Sequence, residues 1–455
     1  MKKTLTFFLL VIFSLSVKSQ YQYSFSHHNP FISKENLIAD IDSVMNDLEK
    51  WHPGLYRYVK PDILAEKITT LKKTLPDSLR RNEFCLRLMY ALNCIQDGHM
   101  AAYSVEEDVL LQYGNPFYVL PLEQLNYKII NNRLYYLKRK EFSFSFPDAA
   151  EIVSINNIKA QIIIDSLKKF IFSDGGNDNF KVYNLENGAL PALYHAVFQD
   201  KDSVLLKIRD EKRNKYNISI NKRLTPNPND SIIIEPRVFD YRNDYAYMKL
   251  GSFSEGDYND YASFLNPLKD KKLKSIVIDL RNSLGGSTQS AAKLLSYFIK
   301  KPKQHYTHGT TPFVQNFFKP DSLFTKMIKQ INKPILPDDS INFDGNVYVI
   351  INAGTFSASA FFASFLKSSA NVTIIGQETG GSRCFSTSGQ IATTTANNSK
   401  IYLNYGIISF DLLKNNFASC QGGVVPDINI KYTIEEYTNK KDKELEWILK
   451  KIVNN

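Results

Sequence analysis

The sequence predicts an α/β protein in three parts: a helical N-terminal part, a β-rich middle part and a last half built on a largely parallel sheet. Three observations carry this. Apolar residues near the start recur at three- and four-residue spacing, as on one face of a helix. Short apolar runs separated by turn residues follow in the middle. Beyond residue 231, continuous apolar runs such as Ser275-Ile276-Val277-Ile278-Asp279-Leu280 alternate with helical patterns, which suits strands buried on both faces. A chain of 455 residues fits this division, at roughly 150 residues per domain.

The elements follow in order. The first stretch, 1–19, reads as a secretory signal: Lys2 and Lys3 form a positive start, 5–17 is apolar, and Val17-Lys18-Ser19 supplies small residues for cleavage after about Ser19. The mature chain is therefore expected to be periplasmic or secreted. The apolar run is too short to span a bilayer, and no later run reaches ~18 apolar residues, so no integral membrane anchor is expected. From Ser33, a residue suited to capping, Leu37, Ile41, Val44 and Leu48 mark a helix that ends at Trp51-His52-Pro53-Gly54. A second helical pattern through Phe84, Leu88 and Leu92 runs into Cys94-Ile95-Gln96-Asp97-Gly98-His99, where the glycine breaks the helix and presents His99 on a turn. These define an N-terminal helical domain, 20–112.

Short strands are predicted at 127–130, 134–137, 150–155 and 204–208, with one helix near 162–170, forming a domain over 113–230. Ser173-Asp174-Gly175-Gly176 reads as a loop, and Pro226-Asn227-Pro228-Asn229-Asp230 as the linker to the last domain, 231–455. There, strands are expected at 245–250, 276–280, 347–351 and 372–375, and helices at 291–298 and 357–367.

Composition narrows the function. With 43% apolar and 22% charged residues the chain is not globally disordered. Its net charge of +10 is scattered, with no run of five like charges, so a nucleic-acid partner is not expected. The 4 cysteines allow three pairings. Cys85 and Cys94 on one helix would stand ~13 Å apart, too far to bridge, which leaves Cys384 and Cys420 as the expected pair, or four free thiols as the alternative. No Cys/His cluster has zinc spacing, and His305-x-x-His308 lacks further ligands nearby, so neither a metal site nor a cofactor is expected.

Two strand-to-helix junctions could hold chemistry. After the strand at 276–280 come Arg281-Asn282-Ser283-Leu284-Gly285-Gly286 and a helix; paired glycines there leave backbone N–H groups free to face an anion. The strand at 347–351 leads into Asn352-Ala353-Gly354-Thr355-Phe356-Ser357, then a helix. Ser357 serves either as an ordinary helix cap or as a nucleophile, with His99 as its base and the N–H groups of Gly286 and Ala358 as its oxyanion hole.

Taken together, Asp97-Gly98-His99, Tyr247-Met248-Lys249-Leu250-Gly251-Ser252-Phe253, Asp279-Leu280-Arg281 with Gly285-Gly286, Thr355-Phe356-Ser357-Ala358-Ser359-Ala360, Gly376-Gln377-Glu378-Thr379-Gly380-Gly381 and Gly423-Val424-Val425-Pro426-Asp427 resemble, in order and spacing, the S41 peptidases. That family includes the tail-specific or C-terminal processing proteases. The resemblance implies a crotonase-like (ClpP/crotonase) catalytic core with a PDZ-like domain at 113–230, and places the family nucleophile on Ser357. The Lys base of the processing branch falls on Ser382, so the chain is nearer the tricorn-like, His-dependent branch, whose base matches His99. Two acidic positions of the family fall on Ala360 and near Cys420 or Gln421. The group orienting His99 is thus open, with Asp97 and Glu378 as candidates. The reading is an exported serine endopeptidase acting on peptides or proteins through an acyl-enzyme, the alternative a non-catalytic member of the same fold that binds peptides or hydrophobic ligands.

Overall fold

A computed structural model describes residues 29–453, apart from 105–116, 139–143, 145, 200–201, 226–236, 269, 304–306, 368–370 and 412–420. The expected signal segment, the linker at 226–230 and Cys420 lie outside the described residues.

The last half is built on a six-stranded sheet in the order Val238–Tyr241, Ala246–Lys249, Ser275–Asp279, Asn346–Ile351, Val372–Gly376, Ile428–Asn429. Only the first pair is antiparallel. Every residue of Ser275–Asp279 is buried, which explains its unbroken apolar run: successive side chains enter two different cores. Ile276 and Ile278 join the main core, which also holds residues of helices Thr288–Ser296 and Ala358–Lys367. Val277 faces the other way, with Tyr245, Tyr348, Ile350 and Ile375, under Ile448 of the C-terminal helix Lys443–Val453.

The N-terminal part has the two expected helices, Lys34–Trp51 and Arg81–Leu92, and a third between them, Pro61–Lys73; the first is capped by Ser33 Oγ, which accepts from Asn36 N at 3.4 Å. It is not wholly helical. The strand Ala101–Ser104, immediately after the His99 turn, pairs antiparallel with Ile401–Asp411, one arm of a long hairpin whose other arm is Phe385–Ala396. A sheet thus joins the N-terminal part to the last half of the chain.

The middle part holds an antiparallel sheet ordered Lys215–Asn221, Ser203–Arg209, Glu151–Ile155, Arg133–Leu137, Asn126–Ile130. It also carries helices that the sequence did not announce. Asp178–Asn184 and Leu190–Phe198 are joined through a π-helical turn, Leu185–Ala189, in which Gly188 has φ +108°. Asn187, Gly188 and Pro191 interrupt the apolar periodicity, so the pattern does not read as one helix. Its first helix packs on the functional site.

Candidate active site

The histidine side of the site is a turn fixed by its own aspartate. After helix Arg81–Leu92 and a short 3-10 turn, Gln96 takes a left-handed conformation at φ +56°, and Asp97 Oδ1 accepts the His99 N–H at 2.8 Å. Only glycine fits between them: a Cβ on Gly98 would stand 2.9 Å from Asp174 Oδ1 and 2.9 Å from the Phe356 ring. His99 leaves the turn with Nε2 3.1 Å from Ser357 Oγ, and 13% of its side chain is exposed.

Ser357 lies just ahead of helix Ala358–Lys367 with φ +51°, a conformation costing on the order of 1–2 kcal/mol for a residue with a Cβ. It is not the extended backbone usual for an N-cap. The neighbouring junction holds the turn in place. Asn282 N donates to Asn352 Oδ1 and Asn352 Nδ2 to Asn282 Oδ1, each at 3.0 Å. Thr355 Oγ1 donates to Leu280 O at 2.8 Å and Phe356 N to Ser283 O at 3.0 Å.

Gly285 and Gly286 have φ +101° and +125°, open to glycine alone at little cost. Gly285 backs directly onto the serine: a Cβ there would be 2.7 Å from Ser357 Cβ and 2.9 Å from Ala358 N. Gly286 is pinned to Phe253 as an isolated parallel bridge, and Phe253 N donates to Gly285 O at 2.8 Å. Among the described residues, neither the Gly286 nor the Ala358 N–H has a hydrogen-bond acceptor. Two backbone donors thus remain open beside a hydroxyl in contact with a histidine.

Behind His99 the arrangement differs from a simple triad. Nδ1 meets Ser386 Oγ at 3.1 Å, while Asp97 Oδ1 stands 4.0 Å away. With Nε2 accepting from Ser357, Nδ1 carries the ring proton and donates it to Ser386. Asp97 acts through its charge. Its Oδ2 accepts from Thr387 Oγ1 and lies 2.9 Å from His52 Nε2. His52 is oriented in turn by Gly54 N, which donates to its Nδ1 at 3.1 Å. Burial alone would raise Asp97, but His52, His99 and Thr387 outweigh it and hold the carboxyl below its ordinary range. For His99 the balance is opposite. Burial pushes its pKa below the ordinary 6.5, even though the Asp97 charge, worth about 4 kcal/mol of attraction at 4 Å and an effective dielectric of ~20, pulls it upward. The imidazole is therefore neutral at pH 7.

Glu378 is engaged elsewhere: its Oε1 accepts from Gly423 N at 2.7 Å and its Oε2 from Asn179 Nδ2 at 3.0 Å. Ser382, which the resemblance matched to a Lys base, closes a turn by accepting from Cys384 N and Phe385 N at 3.3 and 3.2 Å. Cys384 is disulfide-bonded, and Cys85 and Cys94 are free thiols. The atoms of Asp97, His99 and Asp174 that could ligate a metal lie within 4.8 Å of one another, but each carboxylate oxygen already accepts an N–H or O–H. Ser386, His52 and Asp174 were not found by sequence reasoning. Ser386 sits in a polar strand without a motif, and the Asp174-Gly175-Gly176 stretch looks like any loop.

Residues 244–444 match peptidase family S41. The S41 stretch runs from the second strand of the six-stranded sheet to the C-terminal helix, and so includes Gly285, Gly286, Ser357 and Ser386 but not His99. The chain is 25% identical over 227 residues to the carboxy-terminal processing protease CtpB of Bacillus subtilis, covering 48% of this chain and 43% of that protein. With the tail-specific protease of Haemophilus influenzae it shares 26% identity over 212 residues, 44% of this chain and 27% of the relative. These matches therefore span less than half the length of either relative. Among solved structures, mature CPAF superposes with a TM-score of 0.64 at 14% identity, over 93% of this chain and 98% of that one. That likeness concerns the fold. The S41 match covers less than half of the chain.

Proposed function

We propose that this protein is an exported serine endopeptidase, nearer the His-dependent branch of the S41 family than the Ser/Lys branch, in which Ser357 is the nucleophile and His99 the general base. The 3.1 Å approach of His99 Nε2 to Ser357 Oγ carries the reading. Ser357 Oγ attacks the carbonyl carbon of a peptide bond as its proton passes to Nε2. The oxyanion formed is held by the N–H groups of Gly286 and Ala358. The imidazolium, stabilised by the Asp97 charge, returns the proton to the leaving amine, and the acyl-enzyme remains. Water then attacks the ester with His99 again as base, and the carboxylate product leaves. Ser386 keeps Nε2 free of its proton by accepting from Nδ1–H.

The same reading takes the six-stranded sheet with its covering helices as a crotonase-like core and the antiparallel middle sheet as PDZ-like. It takes 1–19 as a cleaved signal, with Cys384 and Cys420 as the disulfide pair.

A fluorophosphonate probe tests it, with the adduct read by intact mass. The expected result is one adduct on wild type, none on Ser357→Ala, and labelling slowed at least ~10³-fold in His99→Ala. A folded wild type that takes no label, or a Ser357→Ala variant that still does, would overturn the assignment.

A further inference from the structure

We propose that Asp174, contributed by the middle part of the chain, is a positioning residue of the active site; the inference rests on the serine-peptidase reading. Its carboxyl is 2% exposed and reaches two different turns of the site. Oδ1 accepts from Gly98 N at 2.7 Å, in the turn that presents His99; Oδ2 accepts from Ser382 N at 3.2 Å, in the turn that follows Gly380 and Gly381.

The segment around it is anchored to the same two turns. Gly175 N donates to Gln96 O at 2.9 Å and Asn177 Nδ2 to Thr379 O at 2.8 Å. Phe180 stacks on Phe356 at 4.4 Å with an interplanar angle of 7°, and Phe356 packs against the His99 ring at 4.7 Å. The Gly98 N–H is buried, and its acceptor is Asp174. Without that acceptor, the cheapest relief is for the turn to shift toward water, which carries His99 away from Ser357.

The carboxyl also sets the charge of the site. The titratable groups facing it are Asp97 and His99 from the turn and Tyr58 from the segment after the first helix, with His52 behind Asp97. Two buried carboxyls this close do not both ionise easily. Burial, and after it the charge of Asp97, pushes Asp174 up to about 8, whereas Asp97 is held low. At neutral pH the pair therefore carries its charge on Asp97, beside the imidazole.

The test is Asp174→Asn, with Asn177→Ala as a control that breaks a neighbouring tie without touching the His99 turn, read by the rate of fluorophosphonate labelling against pH. Asp174→Asn keeps one acceptor oxygen and sets its NH2 against the other of the two N–H groups, so it is expected to lower the maximal labelling rate on the order of 10- to 100-fold, with little change in the half-saturating probe concentration. The wild-type profile should break near pH 8, and Asp174→Asn should lose that break while Asn177→Ala keeps it. Labelling of Asp174→Asn at the wild-type rate with the wild-type profile would overturn the inference and leave the peptidase reading standing. A folded wild type that takes no label would remove both. Should Asp174→Asn fail to fold, Asp174→Glu, which displaces the carboxyl from the two N–H groups, is read in the same way: a lowered maximal rate supports the assignment, and the wild-type rate with the wild-type profile overturns it.

Discussion

A serine hydroxyl attacks a carbonyl only when a neutral base sits on its proton; on the proposed reading, burial arranges this at Ser357 by keeping His99 uncharged. The sign of the pH dependence follows. An imidazole whose pKa lies below 6.5 is already competent at neutrality, so labelling should rise with pH through a midpoint under 6.5 and be flat from there to about 7. In Ser386→Ala the Nδ1–H loses its acceptor. A neutral hydrogen bond is worth about 1 kcal/mol, so the plateau rate should fall roughly five-fold with the acid limb preserved. Labelling rates measured from pH 5 to 8 check both parts. Asp97 itself was in view from the start because it stands two residues from His99. Its use as a charge at 4.0 Å, rather than as a hydrogen-bond partner, depends on Ser386 arriving from a strand 287 residues away in sequence.

The elements that matter most are turns between a strand and a helix, together with one hairpin. Gly285 and Gly286 were legible because paired glycines after a buried strand mark a place where backbone must come close to something. In the structure that something is Ser357 itself. Gly285→Ala places a methyl group within 3 Å of Ser357 Cβ and Ala358 N in a conformation disfavoured for alanine, so a loss of labelling on the order of 10²-fold is expected with the protein still folded. Intact-mass kinetics alongside a far-ultraviolet circular dichroism spectrum would check this. The hairpin Phe385–Ala396 and Ile401–Asp411 was not legible. Its first arm is rich in Ser and Thr, yet Ser386, Thr387 and Ser388 are buried, and the hydroxyls of Ser386 and Thr387 find partners inside the protein. Hydrophobic alternation is the signal for a half-buried strand, and a strand buried through its polar groups does not carry it.

At the scale of the whole molecule, one ion cluster ties the six-stranded sheet to the C-terminal helix. Arg281 pairs with Asp279, with Asp442 and with Glu444, and Tyr247 OH donates to Asp279 Oδ2 at 2.8 Å. Asp279 is fully buried, so Arg281→Ala strands a carboxylate in the core. The expected loss is about 3 kcal/mol of unfolding free energy, seen as a lower urea midpoint. What the sequence by itself determined is local: the apolar runs that become the sheet, the turn that presents His99, and the serine and glycines at two junctions. Those signals survive because strand burial, helix periodicity and glycine's freedom act over a few neighbouring residues. What only the tertiary structure decided is which distant groups meet. His52 and Asp97 come from the N-terminal part, Asp174 and Phe180 from the middle, and Ser357 and Ser386 from the last. A buried hydrogen bond is selected by the direction and distance of its partner, and neither is written in the spacing of residues along the chain.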